Sequence, residues 1–78
     1  MKLVKLDKRH SLYQLGYTHA LRFYSEYDPR AQRIRTKLRD LYGIDHKIWR
    51  TLCAKKHLYW IGVTDEKYLT LILLSLNN

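Results

Sequence analysis

One cysteine, one proline, three glycines and one phenylalanine occur among 78 residues, and acidic groups are scarce, seven Asp plus Glu against fifteen Lys plus Arg. The lone thiol, Cys53, excludes an internal disulfide and suits a reducing compartment. So little Pro and Gly, with 46% hydrophobic and 28% charged residues, excludes a low-complexity or disordered chain. The longest apolar run, residues 71–74, is far too short to span a bilayer, and residues 1–7 hold no apolar stretch fit for a secretory leader. The expectation is one soluble cytoplasmic domain over residues 1–78, with 1–12 readable as a loosely attached arm and no membrane as a partner.

Catalytic signatures are missing as well. There is no Gly-rich phosphate loop, no Gly-x-Ser-x-Gly and no close carboxylate pair in an apolar setting. His10, His19, His46 and His57 are widely separated, and no pair of them has helical metal-ligand spacing with a carboxylate or cysteine partner. The chain is therefore expected to be no enzyme and to hold no metal and no cofactor.

What is present is positive charge, net +8, and it is concentrated. Residues 28–57 carry nine Lys and Arg against three Asp and Glu, a net of +6. Such a balance points to an anionic partner, DNA, RNA or an acidic protein surface, against the plain alternative of a solvated basic face.

Within that stretch Asp28-Pro29 opens a helix, Asp28 as cap and Pro29 where its missing N–H costs nothing. Ala31, Ile34, Leu38 and Leu41 form an apolar stripe, with Tyr42 at its edge. Gly43 stops this helix, predicted over 29–42, and Asp45 can cap a second over 45–55 with Ile48, Trp49, Leu52 and Cys53 facing inward. On this reading Cys53 is a small buried hydrophobe. Arg30, Arg33 and Lys37 flank the first stripe on one side and Arg35 and Arg39 on the other, so they need not share a surface.

The remaining elements are strands. Residues 2–6 form a short first strand, and residues 7–11 a polar connection. Residues 12–27 fit helical or strand spacing, and aromatic and threonine enrichment favours a strand over 17–24, with Thr18, Ala20 and Arg22 on one face and the larger residues toward the helices. Residues 57–63 read as a strand. Residues 64–67 are either a turn into a last strand, 69–76, or a cap for a helix with Leu69, Ile72, Leu73 and Leu76 on one stripe; the hairpin is preferred. The expected fold is α+β, a small antiparallel sheet covered on one face by a basic two-helix hairpin, with a winged-helix-like arrangement as the alternative.

Tyr59-Trp60-Ile61-Gly62-Val63-Thr64-Asp65-Glu66-Lys67, the run Leu69-Thr70-Leu71-Ile72-Leu73-Leu74, and Tyr17-Thr18-His19-Ala20-Leu21-Arg22-Phe23 resemble segments of small uncharacterised proteins of tailed phages of marine cyanobacteria. The likeness spans about a third of the chain and contains no catalytic motif. It implies a phage accessory protein working in the host cytoplasm, and part of the preference for the C-terminal hairpin comes from it.

The helix–break–helix segment is also similar to a DNA-binding helix-turn-helix, although Arg39 stands where a small residue is usual and Trp49 is larger than the usual aliphatic. On that reading the chain binds duplex DNA, with phosphates neutralised by Arg30, Arg33, Lys37, Lys55 and Lys56 and base edges met by His46, Lys47 and Arg50. The plain alternative is an αα-hairpin packed on a sheet. The tyrosines interleaved with cations could stack unpaired bases, or simply pack at the core rim. A second function of a different class is an effector that binds and inhibits or redirects a host protein, anchored by Trp49, Trp60 and Tyr59. A chain this short with so apolar a C-terminal segment is also a candidate homo-oligomer.

Overall fold

The computed structural model describes residues 1–44, 46–55 and 57–77. Its elements run β1 (Lys2–Lys5), α1 (Ser11–Gln14), β2 (His19–Phe23), α2 (Pro29–Tyr42), β3 (Trp49–Lys55), β4 (Leu58–Val63) and α3 (Glu66–Asn77). The four strands make one sheet in the order β1-β2-β4-β3, with every neighbouring pair antiparallel. The α+β class stands, and of the two readings of the N-terminus the chain forms the strand: Lys2–Lys5 pairs along β2 and Leu6 is buried.

Period-two alternation sorts the sheet residues onto two faces. Leu3, Leu21, Ile61 and Thr51 are cross-strand partners on one face, and Leu21, Phe23, Ile61, Val63 and Trp49 there join a core with Ala31, Ile34 and Leu38 of α2 and Leu69 and Ile72 of α3. On the other face a smaller cluster gathers Leu6, Leu12, Tyr17 and Ala20 beneath α1. Gly62 matters for that second packing: a Cβ there would stand 3.0 Å from a Leu12 methyl and 3.4 Å from Tyr17 Cβ.

α2 begins as the sequence expects. The Asp28 carboxylate accepts from the Arg30 and Ala31 amides, and Pro29 occupies the first turn. Gly43, at φ +82°, ends it with its amide on the Arg39 carbonyl. Ala31, Ile34 and Leu38 are fully buried, whereas Leu41, expected on the same stripe, is 57% exposed.

Two expected elements change type. Residues 45–55 do not form a second helix; Trp49–Lys55 is the edge strand β3, hairpinned onto β4. Trp49, Thr51 and Cys53 alternate with Arg50 and Leu52, and pairing with the aromatic, β-branched β4 outweighs a helical spacing that fits the same residues. The turn is made at His57, a non-glycine residue at φ 68°, after a register shift between Cys53 and Lys55. Leu52 therefore lies on the face away from α2, and Cys53 is exposed rather than buried. The expected cap at Asp45 lies outside the described residues.

Residues 69–76 are not a strand but most of helix α3, and the stripe Leu69, Ile72, Leu73 and Leu76 does pack inward. Asp65 supplies the start, its carboxylate accepting from the Lys67 amide at 3.0 Å. The helices covering the sheet are thus α2 and α3, packed together, and not two consecutive helices of a hairpin. The winged-helix-like alternative goes with the missing second helix.

The buried stripe yields a direct contrast. Leu38→Ala is expected to cost about 2–5 kcal/mol in urea-induced unfolding, the range for emptying a fully buried leucine site. Leu41→Ala, on the same helix but outside the core, should stay within about 0.5 kcal/mol of the parent.

Candidate nucleic-acid interface

The hairpin cations do not gather on one surface. Arg33 and Lys37 line a groove with Leu76 of α3, and Arg30 and Arg33 line another with Leu73 and Leu76. Arg35 and Arg39 turn to the opposite flank of α2, beside Trp49 and Thr51 of β3. Arg50 pairs with Gly62 on the sheet face away from α2, and Lys55 ends β3. His46 and Lys47 are exposed in the α2–β3 connection, where the His46 ring nitrogen accepts from the Ile48 amide at 3.3 Å. Lys56 lies outside the described residues. With no second helix, His46, Lys47 and Arg50 have no recognition helix to ride on.

The aromatic anchors fare differently from one another. Trp49 is 4% exposed, in the core, and its indole N–H donates to the Gly43 carbonyl at 2.8 Å, tying the end of α2 to the start of β3. Tyr59 is half-buried and stacked on Phe23, with ring centroids 5.5 Å apart. Desolvation, then the nearby Glu26 carboxylate, holds its phenol above the ordinary tyrosine range. Trp60 alone of the three faces away from α2 and α3; it is half-buried and borders the cluster around Leu12.

Around Trp60 the structure assembles a constellation that spacing in sequence does not reveal. Lys2, Arg22, Trp60 and Leu52 are successive cross-strand partners, one from each strand, so they form a row across the face opposite α2 and α3. At ordinary strand spacing the row is about 14 Å long. The Arg22 guanidinium carbon lies 5.8 Å from the Tyr24 ring centroid and 5.9 Å from that of Trp60, so one cation serves two rings. His10, which caps α1 by accepting from the Leu12 amide, also meets Trp60, ring centroids 4.6 Å apart and edge-on. Tyr24, at 62% exposure, leaves the far end of the ladder open.

Two features of this row concern chemistry rather than packing. The strands carry five Lys and Arg and no Asp or Glu, so nothing within the sheet neutralises Lys2, Arg22 or Arg50. Arg22 Nε and Trp60 Nε1 are buried with no hydrogen-bond acceptor among the described residues. A buried N–H left without an acceptor costs about 1–3 kcal/mol, so this face holds two neighbouring donors that an incoming acceptor would relieve after a small side-chain shift.

Arg22 was legible as an outward residue from its alternation with Leu21 and Phe23; its partners were not, because register sets them. Among the described residues no group of three or more His, Cys, Asp or Glu is placed to hold a metal, and no helix is long and apolar enough to cross a membrane. Comparison with protein-family models, curated proteins and solved structures finds no match for the chain.

The unequal surroundings of the two tryptophans can be read optically. In Trp49→Phe the remaining indole, the half-buried Trp60, should be quenched by acrylamide more strongly than the buried Trp49 that remains in Trp60→Phe. Equal quenching in the two variants would contradict the assignment of Trp60 to the open face.

Proposed function

We propose that the chain is a small nucleic-acid-binding protein that holds single-stranded DNA or RNA on the face of its sheet opposite α2 and α3. The carrying observation is the row Lys2–Arg22–Trp60–Leu52, in which an aromatic ring and its neighbouring guanidinium lie between Lys2 and Leu52, with Arg50 on the same face, on strands without carboxylates. Trp60 and Tyr24 supply π-faces for unpaired bases, Arg22 stacks or donates to base and phosphate oxygens, and Lys2 and Arg50 neutralise the backbone on either side. Bases are available to such a surface only when unpaired. The reading therefore favours single strands over the duplex expected from a helix-turn-helix.

The two unsatisfied N–H groups give a reason for selectivity toward an acceptor-rich ligand over an apolar one. The cations of α2, divided between two flanks, would contribute to the long-range field and to encounter rather than to a single contact surface.

Fluorescence anisotropy with labelled oligothymidylate and with a duplex of equal length, across a salt series, tests this reading. The single strand should bind more tightly, and log affinity should fall linearly with log salt. Trp60→Ala should cost about 1–3 kcal/mol of binding, the worth of one base–aromatic stack, and Lys2→Ala with Arg50→Ala should reduce the salt slope. Preference for the duplex, or greater losses in Arg33→Ala/Lys37→Ala than in Trp60→Ala, would move the site to α2 and overturn the open-face reading.

A further inference from the structure

The opposite edge of the sheet carries a second surface, independent of the open face. β3 is an edge strand with no neighbour beyond it, and α2 runs alongside so that a groove of about 380 Å³ lies between them. Arg35 and Arg39 form one wall, Trp49 and Thr51 the other, and no carboxylate among the described residues lines it. Ile44, 73% exposed, stands at one end.

Backbone geometry shows which groups this edge offers. The Thr64 amide donates to the Ile48 carbonyl at 2.9 Å, and these residues are directly opposed by the register that pairs Trp49 with Val63. In an antiparallel ladder the hydrogen-bonded pairs recur every second residue, so Ile48, Arg50 and Leu52 turn their N–H and C=O toward β4 and Trp49, Thr51 and Cys53 turn theirs outward. Trp49 is already engaged: its amide donates to the His46 carbonyl at 3.2 Å, and its carbonyl accepts from the Tyr17 hydroxyl at 3.5 Å. The register shift after Cys53 ends the regular edge. Thr51 and Cys53 are left as a short ladder of outward donors and acceptors beside two arginines.

We propose that this groove is a docking site for an extended acidic peptide, which adds to β3 as a fifth strand. Backbone pairing with Thr51 and Cys53 would hold the peptide, and side chains at alternate positions would carry carboxylates to Arg35 and Arg39. Ile44 offers an apolar contact at the end. A second copy of this chain is a poor occupant, because edge-to-edge pairing of two β3 strands would bring Arg50, Lys55, Arg35 and Arg39 of both copies together. A nucleic acid could satisfy the arginines but has no means of pairing with the backbone of Thr51 and Cys53.

The test uses the intact chain and a short fluorescein-labelled peptide alternating glutamate with valine, followed by anisotropy and by amide NMR shifts. Saturable binding is expected, with the largest shifts at the Thr51 and Cys53 amides. Arg35→Ala/Arg39→Ala should weaken it about tenfold or more, the loss of roughly 1.4 kcal/mol. Thr51→Pro removes an outward N–H without touching the ladder to β4, and should abolish binding while circular dichroism stays native. The same peptide N-methylated at alternate amides keeps its charge, needs no variant of the protein, and should not bind. Equal affinity of the N-methylated peptide, displacement of the peptide by oligothymidylate, or no saturable binding would each overturn the proposal. Peptide binding that survives Trp60→Ala separates this groove from the open face.

Discussion

The pairing of β2 with β4 is the constraint on which the rest depends. Leu21 opposite Ile61 faces the helices, and Arg22 opposite Trp60 faces away. Because side chains alternate strictly, a slip of one residue would exchange these pairs, burying a guanidinium against α2 and exposing the core leucine. The energy of the apolar core therefore enforces the geometry of the polar row. Core and candidate site are two faces of one register, and the site needs no separate device to position it.

What leaves the second face open is the small size of its cover. α1 is a single turn, and it seats only because Gly62 leaves room for Leu12 over the strand. Leu12, Tyr17, Leu6 and Ala20 close one half of the face. Along the row from Lys2 to Leu52, Trp60 and Leu52 border that cluster, and the side chains cover one another: Arg22 lies against Tyr24 and Trp60, and His10 against Trp60. Such mutual stacking shields rings from water without saturating their polar atoms, consistent with the two orphaned N–H groups.

Local chemistry was legible where one residue type decides. Asp28-Pro29, Gly43 and the buried stripe of α2 follow from caps, φ and periodicity, and the outward placement of Arg22 follows from its neighbours. Residues 49–55 were not legible, because Trp49, Leu52 and Cys53 suit a helix in isolation and only pairing with β4 makes them a strand. Residues 69–76 failed for the reverse reason. The cap at residues 64–67 was legible, but a run of apolar residues suits a buried strand equally, and packing across α2 decides for the helix. Both errors concern partners distant in sequence, and so does the candidate site: Lys2, Arg22, Leu52 and Trp60 come from four strands and carry no common spacing.

A high positive charge admits a bland explanation, and the fold assigns part of it to one. Lys2 and Lys5 lie on one sheet edge and Arg50 and Lys55 on the other, where like charges discourage edge-to-edge association of copies. Arg22 escapes that account. It stands on an interior strand, where there is no edge to guard, and its Nε is buried without an acceptor. A leucine there would extend the apolar packing around Trp60 without leaving a donor unmet. The Tyr24 and Trp60 rings favour a guanidinium at this place, but they leave its Nε–H unmet, and a ligand able to accept that hydrogen bond would offset the cost. Arg22, more than the count of cations on α2, is the residue on which the proposed binding face rests.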